Sequence, residues 1–495
     1  MDKHDQSITE DSFENLSDSE GLEKYKSSGF HPVYLDERFK QGAYRVVRKL
    51  GHGHFSTVWL VEKRDGGKPN RLFALKVIRA DSCDYGYAVH EEKLYRSIDK
   101  NYESDAWRSK LGVYQKRFAL PPNFGTGCVR LRDTFDHHGM FGKHFCFVFD
   151  VVGPNLLDLV VHYYDDLKRK IPISVVKQIT RQLLVALDLL HDNCGIIHTD
   201  LKLENIGIAI SDETVSKVAA GKAVKPISMK FLKLLTQSKK SKNAKKKRAK
   251  AKANEQPDLQ SEAQTQINTE VADLAEELKD LQLEPSSEQT QSIDDSSHPK
   301  AQPNETEEPE DYLVWKDQKI DVSKSITVQI LDLGNAVHVS EKLPSKIQTK
   351  EYRCPETILG TKYNQTADIW SVACLVFELL TGEYLFEPKT HTKVNVTEDD
   401  DHLAIMMSTL GEMPKSFALS GKNSLEFFTK AGKFKAKNAL QLNTFGIKDI
   451  LMEDFDFEEQ DAEDVENFLL PMLCYDPAER ATASQVLESS WLQLN

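Results

Sequence analysis

Between residues 212 and 322 the chain loses the apolar periodicity that a packed core requires. This stretch holds a lysine run from Lys239 to Lys252, then an excess of Gln, Ser, Glu and Pro. Such a composition buries too little apolar surface to offset the cost of ordering, so it predicts a disordered insert. Any core must therefore be assembled from two pieces, one on each side of it. The Ser-, Asp- and Glu-rich residues 1–30 read in the same way, as a disordered acidic tail. Within the insert, Val271, Leu274, Leu278 and Leu281 fall at helical spacing ahead of Pro285. They read as a transient amphipathic helix, with a partner-binding helix as the alternative. The lysine run reads as a nuclear import signal or as a solvated stretch.

The two flanking pieces differ in period. From Tyr44 the chain alternates β-branched and charged residues to Leu50. Runs at Thr57–Glu62 and Phe73–Ile78 follow, so three successive antiparallel strands are expected. Residues 87–97 read as a helix and Phe145–Phe149 as a buried strand. From Leu156 onward the period is helical: Val175, Val176, Ile179, Leu183, Leu184, Leu187 and Leu190 form one stripe. A strand is expected again at Ile326–Leu331, and a buried helix at Val372–Leu380. This is an α+β pattern of two lobes with a cleft between them, a small β-rich one and a larger helical one. The first lobe spans 31–152. The second is split by the insert into 153–211 and 323–495.

Composition excludes several classes. A net charge of −13 argues against direct nucleic-acid binding, which leans on a basic surface, and suits a cationic partner. The seven cysteines are scattered, with no Cys-x-x-Cys, which argues against a disulfide framework or zinc site and for a reducing compartment. The polar N-terminus reads as lacking a signal peptide, and no apolar run is long enough for a membrane span.

Three groups of residues point to chemistry. Leu50, Gly51, His52, Gly53, His54, Phe55, Ser56, Thr57 and Val58 form a turn between two expected strands, where glycines let backbone N–H groups approach phosphates. Lys76, in Ala74-Leu75-Lys76, can bridge phosphates if a helix supplies a carboxylate, for which Glu91 is the candidate and its neighbour Glu92 the rival. Most telling is His198-Thr199-Asp200-Leu201-Lys202-Leu203-Glu204-Asn205. Asp200 can accept a hydroxyl proton, Lys202 can neutralise a transferring phosphoryl group, and Asn205 can give Mg²⁺ an oxygen. Asp332, in Asp332-Leu333-Gly334, supplies a second oxygen ligand. ATP and Mg²⁺ are the implied cofactors. Glu356, paired with Arg480, and Asp368, capping a helix and holding the loop at 198–205, are expected to act structurally.

In this order and context the groups match the protein-kinase signature set. The chain resembles the SR-protein kinases, within the group that also holds cyclin-dependent, MAP and CLK kinases. The resemblance covers 31–211 and 323–493 and rests on the strings Arg48–Leu60, Gly195–Asp200, Asp332–Ala336, Gln348–Arg353, Ala367–Trp370 and Thr381–Pro388. It implies a bilobal protein-kinase fold and a serine/threonine kinase, monomeric, acting on Arg-Ser-rich proteins such as splicing factors. Location in cytoplasm and nucleus is implied, because an insert at this point is associated with that control in the family. Asp150 and Val152 would present the adenine-binding backbone groups, while Glu383 and Asp401, with the acidic run from Glu398, would line an arginine-docking groove. Thr199 replaces the Arg that usually precedes the catalytic Asp. A phosphorylated loop then lacks a dedicated cation, and constitutive activity follows. Departures from the family are His52 for Trp, Leu203 for Pro, Lys350 for Arg, and Ser408 for a groove carboxylate. The alternative readings are a CLK-like or proline-directed kinase, or a scaffold pseudokinase.

Overall fold

The alternating segment that begins at Tyr44 opens the sheet of the first lobe. The structure, a computed structural model, describes residues 24–64, 71–221, 312–322, 325–392, 396–436 and 445–494. Strands β1 (Arg38–Phe39), β2 (Tyr44–His52), β3 (Ser56–Lys63), β4 (Arg71–Ile78), β5 (Leu131–Gly139) and β6 (Gly142–Phe149) form one antiparallel sheet, ordered β1-β2-β3-β4-β6-β5. Alternation places Val46, Trp59, Val61, Phe73, Leu75, Val77, Cys146 and Val148 in one apolar layer. Strands β2, β3, β4 and β6 lie where the sequence pattern expects them. The two edge strands do not stand out in it, because β1 has only two residues and β5 is largely polar.

Between β4 and β5 run two helices. Helix α1 (Ser82–Tyr102) begins earlier than expected because the Asp81 carboxylate caps it, accepting from the Cys83 amide at 2.8 Å. Helix α2 (Asp105–Phe118) is capped by Ser104 and buries Trp107, Leu111, Tyr114 and Phe118, a 3.6-period stripe. It occupies what the sequence reading leaves as a long connection.

The second lobe is helical. After β7 (Val152–Asn155) come α3 (Leu156–Val160), α4 (Ile173–Asp188), β8 (Ile196–Ile197) and β9 (Ile206–Ala209). Past the insert, β12 (Val328–Ile330) pairs with β9, and β13 (Val337–His338) with β8. Helices α6 (Pro355–Leu359), α7 (Thr366–Thr381) and α8 (Glu398–Leu410) follow. Every residue of α7 is buried, which makes it the axis of this lobe. No helix among the described residues is long and apolar enough to cross a membrane.

Two boundaries of the expected disorder need correction. Residues 24–30 are packed, with Tyr25 and Phe30 buried and their rings edge to face at 6.0 Å. The insert is ordered at both ends. Helix α5 (Asp212–Ala220) is capped by Ser211 and buries Val215 and Val218 with Leu60, while Arg48 Nη1 donates to the Val218 carbonyl at 2.9 Å. At the far end β10 (Tyr312–Trp315) and β11 (Gln318–Asp321) form a hairpin. Its two-residue turn, Lys316 and Asp317, takes positive φ at both positions. The apolar residues responsible are too few in each segment to show against a polar background. Residues 1–23 and 222–311 lie outside the described residues, and with them the lysine run and the Val271–Leu281 stripe.

Candidate active site

The turn between β2 and β3 is held by the Gly53 amide donating to the Ser56 carbonyl at 2.8 Å, and the strands around it pair Gly51 with Val58 and His52 with Thr57. Neither Gly51 nor Gly53 has positive φ. A Cβ built at Gly51 would meet nothing within 4 Å, and one at Gly53 only Ser56 Oγ at 3.8 Å. The protein itself therefore does not require glycine at either place. The open space fits a group that approaches the backbone from outside, as a phosphate does. Phe55, at the tip, is more than half exposed, whereas Ser56 and Thr57 are buried.

Lys76 sits opposite Val58 and Phe147 in the sheet. Its Nζ lies 3.0 Å from Glu91 Oε1 and 3.0 Å from Asp332 Oδ1. Glu92 instead pairs with Arg96 and Thr134, so the choice between the two glutamates falls to Glu91. Burial alone would lower the Lys76 pKa, but Asp332 and Glu91 outweigh it and hold the ammonium firmly protonated. Lys76 in turn pulls Asp332 below the usual carboxylate range, while burial pushes Glu91 up against the pull of the same lysine. Asp332 is thus kept ionised, a requirement for a cation ligand. Its φ of 53° is left-handed, and its own carboxylate offsets the strain by accepting from the Gly334 amide at 3.3 Å.

The loop at 198–205 is fixed from below. Asp368, fully buried on α7, accepts from the His198 amide at 2.7 Å, the Thr199 amide at 2.9 Å and His191 Nε2 at 2.8 Å. His198 Nε2 donates to the Leu331 carbonyl at 2.9 Å, and its Nδ1 accepts from the Asp200 amide at 3.3 Å. Thr199 adopts φ 67° and donates its hydroxyl to the Asn335 carbonyl at 2.8 Å, which ties the loop to the segment after Asp332. Asn205 spends its amide nitrogen on the Asp200 carbonyl at 2.8 Å and on the Asp200 carboxylate at 3.3 Å, so its amide oxygen is left for a hard cation. Asp200 Oδ1 accepts from Thr349 Oγ1 at 2.8 Å, and Lys202 Nζ lies 3.3 Å from the same hydroxyl and 3.7 Å from Asp200 Oδ2. The buried Glu356–Arg480 pair, at 2.7 and 2.8 Å, anchors the far end of the segment.

At the junction of the lobes the Asp150 amide donates to the Arg130 carbonyl at 3.1 Å, and the Asp150 carboxylate pairs with Arg132. Only its carbonyl remains for a ligand. Val152 lies in β7 opposite Ala209, and Ala74 pairs with Phe149 on the sheet.

The proposed docking pair divides. Glu383 is exposed, but Asp401 is buried, its carboxylate accepting from the Lys389 amide at 2.7 Å and from His391 Nε2 at 2.9 Å. Its neighbours are occupied too: Asp400 closes a capping box with Thr397, and Glu398 pairs with Lys350 at 2.7 Å. Acidic residues are favoured in the first turn of a helix, and the run at 398–401 serves α8. Asp401 is therefore not a free groove carboxylate.

A different acidic group stands beside the loop, and the sequence reading misses it. Glu378 is buried on α7 and receives the Tyr352 hydroxyl at 2.5 Å. Burial, followed by the charges of Glu204, Glu351 and Glu383, pushes its carboxyl up to about 7 although the Tyr352 hydrogen bond opposes the shift. Glu204 adjoins Asn205, and Glu351 is two residues beyond Thr349, so this cluster borders Asp200. Its members come from four segments, and Glu378 is the one that lies outside the motifs quoted above.

Comparisons with known proteins agree with this geometry. The protein kinase domain family matches residues 314–492. The chain is similar to protein kinase dsk1 of Schizosaccharomyces pombe, 35% identical over 494 residues, which cover 96% of this chain and 85% of the relative. It is equally similar to serine/threonine-protein kinase SRPK of Physarum polycephalum, 35% identical over 96% of this chain and 92% of the relative. SRSF protein kinase 3 of Homo sapiens is 31% identical over 96% of this chain and 90% of its own length. With its two lobes, its Lys76–Glu91–Asp332 triad and the loop held by Asp368, the chain belongs to the SR-protein kinase family and is a serine/threonine protein kinase that uses ATP and a divalent metal.

Proposed function

We propose that the protein transfers the γ-phosphoryl group of ATP to serines flanked by arginines in Arg-Ser-rich proteins, with Mg²⁺ as the metal. Asn205 and Asp332 would hold the ion, one through its amide oxygen and the other through a carboxylate that Lys76 keeps ionised. Bound there, Mg²⁺ with ATP supplies the electrophilic phosphoryl group and the charge that offsets its oxygens. Backbone amides of the 50–58 hairpin and Lys76 position the phosphates. The Asp150 carbonyl and the Val152 backbone receive the adenine. Asp200, oriented by Thr349 and Asn205, accepts the proton of the serine hydroxyl, and Lys202 stabilises charge on the moving group.

The observation that carries the substrate class is the acidic cluster of Glu204, Glu351, Glu378 and Glu383 beside this site. A guanidinium next to the acceptor serine pairs well with such carboxylates. The printed name of the relative SRSF protein kinase 3 points the same way. An assay with Arg-Ser repeat and Ser-Pro peptides tests the reading, with Asp200→Ala as control. The expected result is strong use of the Arg-Ser peptide, weak use of the Ser-Pro peptide and loss of signal in the variant. Preference for Ser-Pro would favour the proline-directed reading, and an inactive wild type the scaffold.

A further inference from the structure

Strands β1 and β5 are the two edges of the six-stranded sheet, and side chains of the β1–β2 hairpin reach across to β5. Lys40 Nζ and Tyr44 Oη each lie 2.7 Å from the Asp133 carboxylate, and the Tyr44 ring stacks on Phe135 at 5.8 Å. Beside this seam, away from the residues assigned to catalysis, His31, Glu37 and His137 bring one ligand atom each to within 4.8 Å of one another. His31 Nε2 lies 3.0 Å from Glu37 Oε1 and 3.1 Å from His137 Nε2, and His137 Nε2 lies 4.0 Å from the same carboxylate oxygen.

A tetrahedral zinc ion about 2.0–2.1 Å from each ligand needs ligand–ligand edges of roughly 3.3 Å. Two of the three edges are slightly short of that, and the third, at 4.0 Å, closes with a side-chain shift of about 0.7 Å. Without a cation, two imidazole nitrogens face each other and one must surrender its lone pair to an N–H···N contact. The rings beside the site are packed into the protein. His31 is buried, its Nδ1 has no hydrogen-bond partner among the described residues, and a Cβ at Gly139 would come within 2.4 Å of it. His144, whose ring centroid is 5.2 Å from that of His31, donates Nδ1–H to the Ile78 carbonyl at 2.8 Å, so its Nε2 is a fully buried lone pair, likewise unpartnered. A cation held by Nε2 of both His31 and His137 and by Glu37 Oε1 replaces the N–H···N contact with three metal–ligand bonds.

We propose that His31, Glu37 and His137 bind a zinc ion that staples the N-terminal segment to the β5 edge of the sheet. Two imidazoles and a carboxylate are a borderline-soft donor set suited to zinc, and the fourth position is open to water. The site's role is to close the seam between the sheet edges that Lys40, Tyr44 and Asp133 already bridge.

The full-length protein, stripped with a chelator and kept in Mg²⁺ to occupy the Asn205–Asp332 site, is titrated with Zn²⁺ by calorimetry and then with Co²⁺ by absorption. The proposal expects one equivalent of Zn²⁺, a melting temperature raised by several degrees, and Co²⁺ bands of a tetrahedral site without thiolate charge transfer. Glu37→Gln and His137→Gln, which preserve size, should each weaken binding at least tenfold and cancel the thermal shift. Absence of binding, equal binding in both variants, or a thiolate-type Co²⁺ spectrum overturns it. If either variant fails to fold by circular dichroism, the wild-type Co²⁺ spectrum decides on the same terms.

Discussion

His90 Nε2 lies 2.9 Å from the Glu341 carboxylate, which joins helix α1 to the segment that follows Asp332. His90 precedes Glu91, so this contact holds in register the helix that presents a carboxylate to Lys76. The segment itself is fastened by protein groups. Gln348 donates to the Ala367 carbonyl and accepts from the Cys354 amide, and Arg353 donates to the carbonyls of Ile347 and Gln348. Nothing in that set awaits a phosphate. Phosphatase-treated protein is therefore expected to keep its full rate, and loss of activity on treatment would sink the idea. Glu341→Gln should slow the enzyme only about two- to fivefold, with a raised KM for ATP, because an exposed pair is worth up to roughly 1 kcal/mol.

The ordered ends of the insert give a second expectation. Val215 and Val218 bury against Leu60, and Leu313 is buried as well. Removing 222–311 and rejoining the chain with a short Gly-Ser linker should leave the melting temperature within about 2 °C of wild type. Removing 212–322 should lower it by several degrees, since two or three buried aliphatic side chains are worth about 1.5–3 kcal/mol each. Equal melting temperatures for the two deletions would contradict the packing seen here.

What could be read in advance follows from how far apart the determinants lie. Asp200, Lys202 and Asn205 fall within six positions, so their spacing carries their chemistry. Glu91 is the candidate the sequence offers, but Glu92 stays a rival until the structure decides, because the choice depends on the phase of a helix whose start, at Asp81, is set by a cap outside the apolar pattern. Asp401 misled for a related reason: an acidic run at a helix start can face solvent or serve the helix, and only the positions of the Lys389 amide and His391 decide. The Glu204–Glu351–Glu378–Glu383 cluster belongs to four segments and exists only once the chain has folded. Helix α2 was the one avoidable omission, since Trp107, Leu111, Tyr114 and Phe118 stand at plain helical spacing.

Asp368 is the buried acceptor for three N–H donors, two from the loop and one from His191 just past α4. Asp368→Ala leaves these donors without a partner, at an expected cost of about 3–5 kcal/mol. That corresponds to a melting temperature lower by roughly 3–6 °C in a protein of this size. Activity measured well below that temperature should also fall, because the Asp200 amide is placed by the same loop. A variant with wild-type melting and rate would show that the loop is held by other means.

The acidic cluster makes the proposed arginine recognition depend on pH, with a definite sign. The Glu378 carboxyl, raised to about 7 by burial and by Glu204, Glu351 and Glu383, takes up a proton in the folded protein where an unfolded chain would not. Its contribution to stability is therefore fully present below the unfolded value near 4.5 and is lost as pH rises through 7. Arginine binding runs the other way, since a guanidinium is attracted to the ionised cluster and favours loss of that proton. The KM for an Arg-Ser peptide should accordingly fall between pH 6 and pH 8, while a substrate peptide without arginine shows no such trend in KM. Glu378→Gln should abolish the trend and leave KM near the acidic wild-type value. A flat KM in the wild type, or an unchanged slope in the variant, would remove Glu378 from substrate recognition.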